Sequence, residues 1–190
     1  WSSPDGIAWT QETGAAFLTG RAYHASAVFN GLMWVMGGYN GSAFLSDTWS
    51  SSDGATWTQV TPTAAFGGRV VHSAVEYNNA LWVIAGVEGT GFSYTSEVWT
   101  STDGAAWTQV SAAPFAIRGY HTSFVYNNLM WVVAGGNSGA LFNDVWSSPD
   151  GITWTQATPG SAFTARYGHS SAVFNNAMWV IGGYDGMALK

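Results

Sequence analysis

Short stretches of alternating apolar and polar residues, separated by turn residues, run along the whole chain. Residues 24–29 (HASAVF) and 32–36 (LMWVM) flank the dipeptide Asn30-Gly31. The same junction returns as Asn78-Asn79, Asn127-Asn128 and Asn175-Asn176. Alternation with a period of two, rich in aromatic and β-branched residues, is typical of strands. Because Asn and Gly tolerate positive φ, each junction predicts a tight β-hairpin.

Two further strands follow each hairpin. A glycine-rich loop beginning at Gly38, Gly86, Gly135 or Gly183 leads into a strand that ends at a tryptophan where the next copy is present. An S-x-D-G turn and a strand carrying W-T-Q come next. Each unit is therefore predicted to hold four short strands.

The chain is built of repeats. The segment WSSPDGIAWTQ at Trp1 returns at Trp49, Trp99 and Trp146, at steps of 48, 50 and 47 residues. All twelve tryptophans occupy three repeat positions, so none is left for a special role. Self-similarity at this period indicates a repeat architecture. We expect residues 1–190 to form one domain of four units of about 48 residues.

The architecture follows from the need of each unit to bury the apolar faces of its sheet. A four-stranded sheet that is apolar on both faces must stack on identical neighbours. Radial repetition of four-stranded sheets is a β-propeller, so the predicted fold class is all-β, with four-stranded antiparallel blades. The motifs R-x-x-H, the Asn turn, W-V-x-G-G and W-T resemble the Kelch repeat. The S-x-D-G-x-x-W segments resemble the Asp-box of sialidase propellers, in which Asp caps its turn and Trp packs beneath.

The two ends of the sequence complement each other. Residues of about 167–190 carry the first strands of a unit, and residues 1–11 carry the last, so together they are predicted to form a composite blade. One closure is a single-chain ring of four blades, and another is a homodimer that completes a ring of eight. The Kelch resemblance implies six or seven blades, so a third interpretation is a fragment of a larger ring.

Composition excludes several classes of function. A net charge of −6 with a single Lys argues against a nucleic-acid partner held by phosphate contacts. No run of 18 apolar residues exists, so we expect no membrane insertion. The absence of Cys removes thiolate metal sites and the Cys–Tyr cofactor of galactose oxidase, an enzyme that the fold resembles. Few charges and scarce Lys favour an extracellular or cell-surface location.

The R-x-x-H motif supplies the candidate ligand site. Its four arginines, with the nearby tyrosines, are predicted to rim one face of the propeller: Arg21, Arg69, Arg118, Arg166, Tyr23, Tyr120 and Tyr167. Guanidinium groups bind carboxylates in a bidentate manner. The resemblance implies the same use, because Kelch-type adaptors bind acidic peptides with Arg at this position. The competing interpretation pairs each Arg with an acid two residues before a repeat Trp, namely Asp47, Glu97 or Asp144.

The remaining polar positions point to no catalytic chemistry. The four histidines each begin a strand and are interpreted as structural, since no partner that would fix their tautomer for metal binding is visible. Titratable residues mostly follow the repeat pattern, whereas catalytic groups normally depart from it. We therefore expect no enzyme activity, catalytic residue, metal or cofactor. Four loop residues vary between units, as expected of a surface that recognises a ligand: Tyr39, Glu88, Asn137 and Asp185.

Two functional hypotheses result. The first is a non-enzymatic binding or scaffold propeller that captures an acidic peptide or a glycan at the Arg-rimmed face. The second is a purely structural, self-assembling repeat domain, either a half-propeller that dimerises or a part of a larger surface protein.

Overall fold

The computed structural model describes residues 1–13, 19–89 and 91–190, which form fifteen strands. Blade 1 contains β1 (Ala25–Phe29), β2 (Leu32–Tyr39), β3 (Phe44–Ser51) and β4 (Thr58–Thr61). Blade 2 contains β5 (Arg69–Val70), β6 (Ser73–Tyr77), β7 (Ala80–Glu88), β8 (Ser93–Ser101) and β9 (Thr108–Ala112). Blade 3 contains β10 (Thr122–Tyr126), β11 (Leu129–Gly136), β12 (Leu141–Ser148) and β13 (Thr155–Thr158), and a half blade contains β14 (Ser170–Phe174) and β15 (Ala177–Ile181).

Every blade is an antiparallel meander. Blades 1 and 3 run in the order β1-β2-β3-β4 and β10-β11-β12-β13. In blade 2 the short strand β5 adds to the edge of β7, where Arg69 lies opposite Glu88. Equivalent single bridges join Ala22 to Tyr39 and Gly119 to Gly136. The predicted fold class, an all-β propeller with antiparallel four-stranded blades, is confirmed.

The turns have the chemistry that the sequence predicted. Asn30 has a φ of 50°, and both Asn residues of the later hairpins also lie in the left-handed region. In the S-x-D-G turn of blade 1, Asp53 accepts hydrogen bonds from the backbone N–H of Ala55 and Thr56 at 2.9 and 2.8 Å. These local bonds stabilise the turn from within.

A close contact between a glycine of one blade and a tryptophan of the preceding blade joins neighbouring blades. A Cβ at Gly104 in blade 2 would lie 2.0 Å from Cζ3 of Trp34 in blade 1. A Cβ at Gly151 in blade 3 would likewise lie 2.1 Å from Cζ3 of Trp82 in blade 2. The S-x-D-G turn of each following blade therefore packs directly against an indole ring of the preceding one, which is possible because the turn carries Gly.

A second aromatic contact reinforces each junction. Phe66, after blade 1, packs edge-on against Trp107 of blade 2 at a centroid distance of 5.0 Å. Phe115, after blade 2, packs against Trp154 of blade 3 at 5.4 Å. The two large buried clusters of the core lie at these junctions, so the blades stabilise one another by stacking.

Backbone hydrogen bonds also connect the units on the side of the inner strands. The N–H of Val71 donates to the carbonyl of Tyr23, that of Tyr120 to Val71, and that of Gly168 to Tyr120, at 3.0 to 3.1 Å. All four residues directly precede the repeat histidine and have φ between 51° and 64°. One main-chain connection therefore runs through all four units.

The two ends of the arc lie apart. The inner strands contact one another in the order β1, β6, β10 and β14, but β14 makes no comparable contact with β1. Ser2 pairs with Thr10 in a small separate hairpin, and among the described residues no ladder joins this hairpin to β15. The composite blade of 167–190 with 1–11 therefore stays a prediction. Within the described ranges, no helix has the length and apolar character needed to cross a membrane.

Candidate functional site

The four repeat arginines are buried inside the units rather than exposed on a rim. The side chains of Arg69 and Arg118 are fully buried, and that of Arg21 is 4% exposed. Arg118 donates two hydrogen bonds to the carboxylate of Asp144, at 2.7 and 2.8 Å, and a third to the carbonyl of Ala134. Arg21 binds Asp47 in the same bidentate way.

The acid of each pair also binds the repeat tryptophan. Trp49 donates its indole N–H to Asp47 at 2.7 Å, and Trp146 donates to Asp144 at 2.8 Å. Burial alone would raise the pKa of both carboxyls, but hydrogen bonds from Arg and Trp outweigh it and hold each pKa below its ordinary value. The position two residues before Trp is acidic because it joins the guanidinium to the indole.

Arg69 and Arg166 depart from the bidentate pairing with a single carboxylate. Arg69 binds Glu97 at 2.6 Å and also Glu88 at 3.1 Å. Arg166 binds the carbonyl of Gly182 at 2.7 Å, and in the described part of the chain it has no carboxylate partner.

The pairing of Arg with the acid before Trp is thereby confirmed for three of the four units. Burial keeps the guanidinium groups of Arg21, Arg69, Arg118 and Arg166 away from the surface, and ligand binding by these residues stays a prediction.

The histidines connect neighbouring units. Nε2 of His121 lies 2.7 Å from the hydroxyl of Ser73, and Nε2 of His169 lies 2.9 Å from the hydroxyl of Thr122. His72 has no such partner, because Ala25 occupies the corresponding position. Burial lowers the pKa of His72 and of His121 to about 3, so both rings stay neutral near pH 7.

The described ranges contain no group of three or more His, Asp or Glu side chains arranged to hold a metal ion. His121 and His169 thus make hydrogen bonds between units, whereas both ring nitrogens of His72 are left without one.

The tyrosines of the R-x-x-H motifs come together on one face. The rings of Tyr23 and Tyr120 pack edge-on at 6.3 Å, those of Tyr120 and Tyr167 lie 5.4 Å apart, and Tyr184 follows at 5.7 Å from Tyr167. Tyr23 is 56% exposed and Tyr120 is 37% exposed. The structure thus brings the three predicted tyrosines into one surface cluster.

The cluster borders a row of three shallow clefts, which we call the aromatic face. The central cleft, of about 250 Å³, is lined by apolar valines and six aromatic rings: Tyr23, Tyr39, Phe44, Phe92, Tyr94 and Tyr120. A second cleft of about 330 Å³ shares Tyr39, Phe44 and Phe92 with it. A third of about 300 Å³ shares Tyr94 and Tyr120 and adds Asn137 and Tyr167. The clefts therefore form a continuous surface across blades 1 to 3.

The aromatic face also offers hydroxyl groups. The hydroxyls of Tyr39, Tyr77 and Tyr126 bind backbone carbonyls, whereas in the described part of the chain those of Tyr23 and Tyr120 have no partner. Burial and the neighbouring tyrosines raise the pKa of Tyr120, which keeps its hydroxyl protonated and able to donate.

Sequence reasoning finds part of this face. Tyr39 and Asn137 are among the variable loop residues that the sequence indicates, and both line clefts. Phe44, Phe92 and Tyr94 are not among them. Their signal in the sequence is a large aromatic ring within or at the end of a glycine-rich loop, close to the predicted tyrosines.

With this geometry in place, the chain can be compared with known families. Residues 3–122 match the model of the DUF6242 beta propeller domain. The chain belongs to this family. Residues 165–190 of this DUF6242 propeller match the Kelch motif, which confirms the resemblance drawn from its repeats. Both matches support a binding or scaffold role, since Kelch propeller families are generally non-enzymatic. No curated protein matches the chain.

Proposed function

We propose that this DUF6242 propeller is a non-enzymatic binding domain that takes a neutral glycan on its aromatic face. The observation that carries the proposal is the row of clefts built around Tyr23, Tyr120, Tyr94, Phe44 and Phe92. Because neighbouring clefts share lining residues, the row suits an extended ligand better than a single small molecule.

The chemistry of the face suits a sugar. A pyranose presents an apolar face of C–H groups, which packs against an aromatic ring, and a rim of hydroxyls that need hydrogen-bond partners. Tyr supplies both a ring surface and a hydroxyl, and sites of this kind combine apolar walls with a few polar groups. Tyr23 and Tyr120 each offer a partly exposed ring with an unused hydroxyl.

Charge argues for a neutral ligand. The arginines that would attract a carboxylate or sulfate are buried in ion pairs or carbonyl contacts, as described above. The overall charge of −6 repels anions further. An acidic peptide, one of the two ligands predicted from the sequence, is therefore less favoured than a glycan. A glycan ligand also agrees with the expected extracellular or cell-surface location.

The test is a panel of neutral, sialylated and sulfated oligosaccharides, with binding followed by NMR chemical shifts of the tyrosine rings. We expect neutral oligosaccharides to shift the resonances of Tyr23 and Tyr120, and acidic ones to have little effect. Replacing an aromatic anchor of a binding site by Ala commonly costs about 2 kcal/mol, so Tyr120→Ala should weaken binding by about thirtyfold.

Ile152→Ala is the matched control. Ile152 is 55% exposed and lies in the turn between β12 and β13, at the opposite end of blade 3 from the loop that carries Asn137. This variant should bind like the original chain. The proposal is wrong if no neutral oligosaccharide shifts the tyrosine resonances at millimolar concentration, or if Tyr120→Ala and Ile152→Ala bind equally well.

A further inference from the structure

We propose that the central cleft of the aromatic face binds a small quaternary ammonium compound of the choline type. This inference goes beyond the proposed function, because it assigns a cation rather than a sugar, and assigns it to one cleft rather than to the whole row. Four observations support it: the arrangement of the rings, the backbone conformation around them, the charge and the size of the cleft.

The first observation is the way in which the cleft is built. Its floor consists of three buried valines: Val70, Val71 and Val87. Three half-buried rings pack against this floor as walls: Tyr39, Phe44 and Tyr94. Three exposed rings form the rim: Tyr23, Phe92 and Tyr120. Because core packing holds the walls, the cleft is largely formed before a ligand arrives.

Neighbouring rings of the cleft stand nearly perpendicular to one another. Phe44 lies at 88° to Tyr39 and at 90° to Phe92, with ring centroids 5.8 and 5.2 Å apart. Tyr23 and Tyr120 meet at 81°. The rings therefore bound the cleft from several directions. Cages of several aromatic rings bind quaternary ammonium groups, because the face of each ring carries a partial negative charge that attracts a cation.

The arginines of the chain contact other rings. Among the described residues, Arg118 lies over Phe115 and Phe142, and Arg166 lies over Phe163. None of these three rings lines the central cleft, and in the described ranges no Arg or Lys side chain lines it either. The rings of the cleft are therefore available to a cation from solution.

The second observation is the backbone conformation around the cleft. In the part of the chain that the structure describes, six residues other than Gly and Asn have positive φ, which is unfavourable for a residue with a Cβ. Four of them line the central cleft: Tyr23, Val71, Phe92 and Tyr120. Three of these four also take part in the main-chain connection between units, but Phe92 does not. Since strained residues concentrate at ligand sites, the placement of Phe92 on the rim indicates binding rather than assembly.

The third observation is the charge. The net charge of −6 attracts cations to the protein. Blade 2 adds a local excess, because Arg69 binds the two carboxylates of Glu88 and Glu97, whereas Arg21 and Arg118 bind one each. Glu88 directly follows Val87 of the floor, and its side chain is 39% exposed. One uncompensated negative charge therefore lies beside the strand that supplies the floor.

The fourth observation is the size of the cleft. Its volume of about 250 Å³ lies just below the range of about 300 to 1,000 Å³ that is usual for larger ligands. Taken alone, the cleft suits a compact trimethylammonium group better than a sugar chain or a peptide. The hydroxyl of choline would meet the hydroxyls of Tyr23 and Tyr120, which line the same cleft.

The test compares choline with 3,3-dimethyl-1-butanol, which has the same shape but a neutral carbon in place of the charged nitrogen. Calorimetry and NMR shifts of the aromatic rings follow both titrations at pH 7 and low salt. We expect choline to bind at least about tenfold more tightly, because the attraction to the ring faces requires the charge. It should shift the resonances of Phe44, Phe92 and Tyr94.

Phe92→Leu tests the rim, with Phe174→Leu as its matched control. The two rings are 68% and 62% exposed, and Phe174, the last residue of β14, does not line any of the three clefts. Phe92→Leu keeps an apolar side chain but removes one ring of the cage, so it should weaken choline binding at least about threefold. Phe174→Leu should leave the affinity unchanged.

Glu88→Gln tests the charge. Arg69 keeps its partner Glu97 in this variant, so the buried pair remains. Loss of the excess charge should weaken choline binding about twofold and leave the binding of 3,3-dimethyl-1-butanol unchanged.

Equal affinities for choline and 3,3-dimethyl-1-butanol overturn the proposal, and so does equal binding of choline by Phe92→Leu and Phe174→Leu. A trimethyllysine peptide that binds more than about tenfold more tightly than choline overturns the assignment to a small molecule. The choline titration contains no sugar, and the oligosaccharide panel contains no quaternary ammonium ion. Failure of this proposal is therefore distinguishable from failure of the glycan proposal.

Discussion

Gly104 of blade 2 lies so close to Trp34 of blade 1 that an added Cβ would stand 2.0 Å from the indole ring. The same turn is held from the side, because Thr48 donates its hydroxyl to the carbonyl of Gly104 at 2.7 Å. The close approach of this glycine to the indole ring therefore limits the spacing between the blades, and the contact leaves no room for a larger residue.

Gly151→Ala should therefore destabilise the protein far more than Gly67→Ala. Both positions have φ near 75°, which costs a residue with a Cβ about 1 to 2 kcal/mol. At Gly151 the Cβ also meets Trp82 at 2.1 Å, so blades 2 and 3 must separate, and we expect a total loss of about 3 kcal/mol or more. Urea unfolding measures both variants, and equal losses would contradict the role of the contact.

Arg118→Met should lower the free energy of unfolding by about 3 to 5 kcal/mol, because it leaves the buried carboxylate of Asp144 without its cation, with only the indole of Trp146 as a partner. The double variant Arg118→Met/Asp144→Leu should recover part of this loss, since replacing a whole buried pair by apolar groups is often neutral. The recovery is incomplete because the indole N–H of Trp146 loses its acceptor. Thermal unfolding compares the two. A double variant less stable than the single one would show that the pair itself stabilises the blade.

Lys190→Met is the control for that experiment. Lys190 pairs with Asp185 at 2.7 Å, but its side chain is 39% exposed. Exposed ion pairs contribute little, so the melting temperature should hardly change.

Ala25→Ser should stabilise the protein by about 1 kcal/mol, because it places a hydroxyl where His72 now lacks one. The contacts from Ser73 to His121 and from Thr122 to His169 show the geometry that the new side chain would adopt. Ser73→Ala is the reverse experiment and should cost about 1 to 2 kcal/mol by leaving Nε2 of His121 unpaired. Chemical unfolding at pH 7 measures both, and changes of the same sign would contradict this assignment.

Stability should fall as the pH drops from 7 to 4. Burial lowers the pKa of His72 and His121 to about 3 and that of His169 to about 4, whereas these residues take up protons near pH 6.5 in the unfolded chain. Between these values the unfolded state binds more protons, so each histidine contributes a slope of up to about 1.4 kcal/mol per pH unit.

The urea midpoint as a function of pH checks this prediction. Burial also lowers the pKa of His24, so His72→Leu removes one of four such residues and should reduce the slope by about a quarter to a third. Below about pH 4, protonation of Asp47 and Asp144, whose pKa values lie below the ordinary value, adds to the loss. A midpoint that stays constant between pH 7 and 5 would contradict the prediction.

The fold was predictable because the same short sequence motifs, with the same structural requirements, recur in all four units. Asn30-Gly31 and its equivalents require positive φ, and the structure has hairpins there. The short strand β5 was not predicted, because the bond that adds Arg69 to the edge of β7 depends on where the preceding loop lies rather than on residue type.

The candidate site was harder to predict from sequence. The spacing of Arg118 and His121 does not say whether the guanidinium points outward or into the blade. The decisive feature was Asp144, which binds both Arg118 and Trp146, and the sequence indicated it as one of two alternatives. The aromatic face joins Phe44 of blade 1 to Phe92 of blade 2, and such a pair follows only from the angle between blades.

The hydrogen bonds that run from Tyr23 through Val71 and Tyr120 to Gly168 involve main-chain atoms alone. The four residues are two Tyr, a Val and a Gly, so they differ in size and polarity, yet the connection is the same at each step. Mutation at these positions can therefore reshape the exposed surface while the linkage between units is kept. Such a scaffold can acquire new binding specificities through substitutions at the same residues whose main-chain atoms join its units.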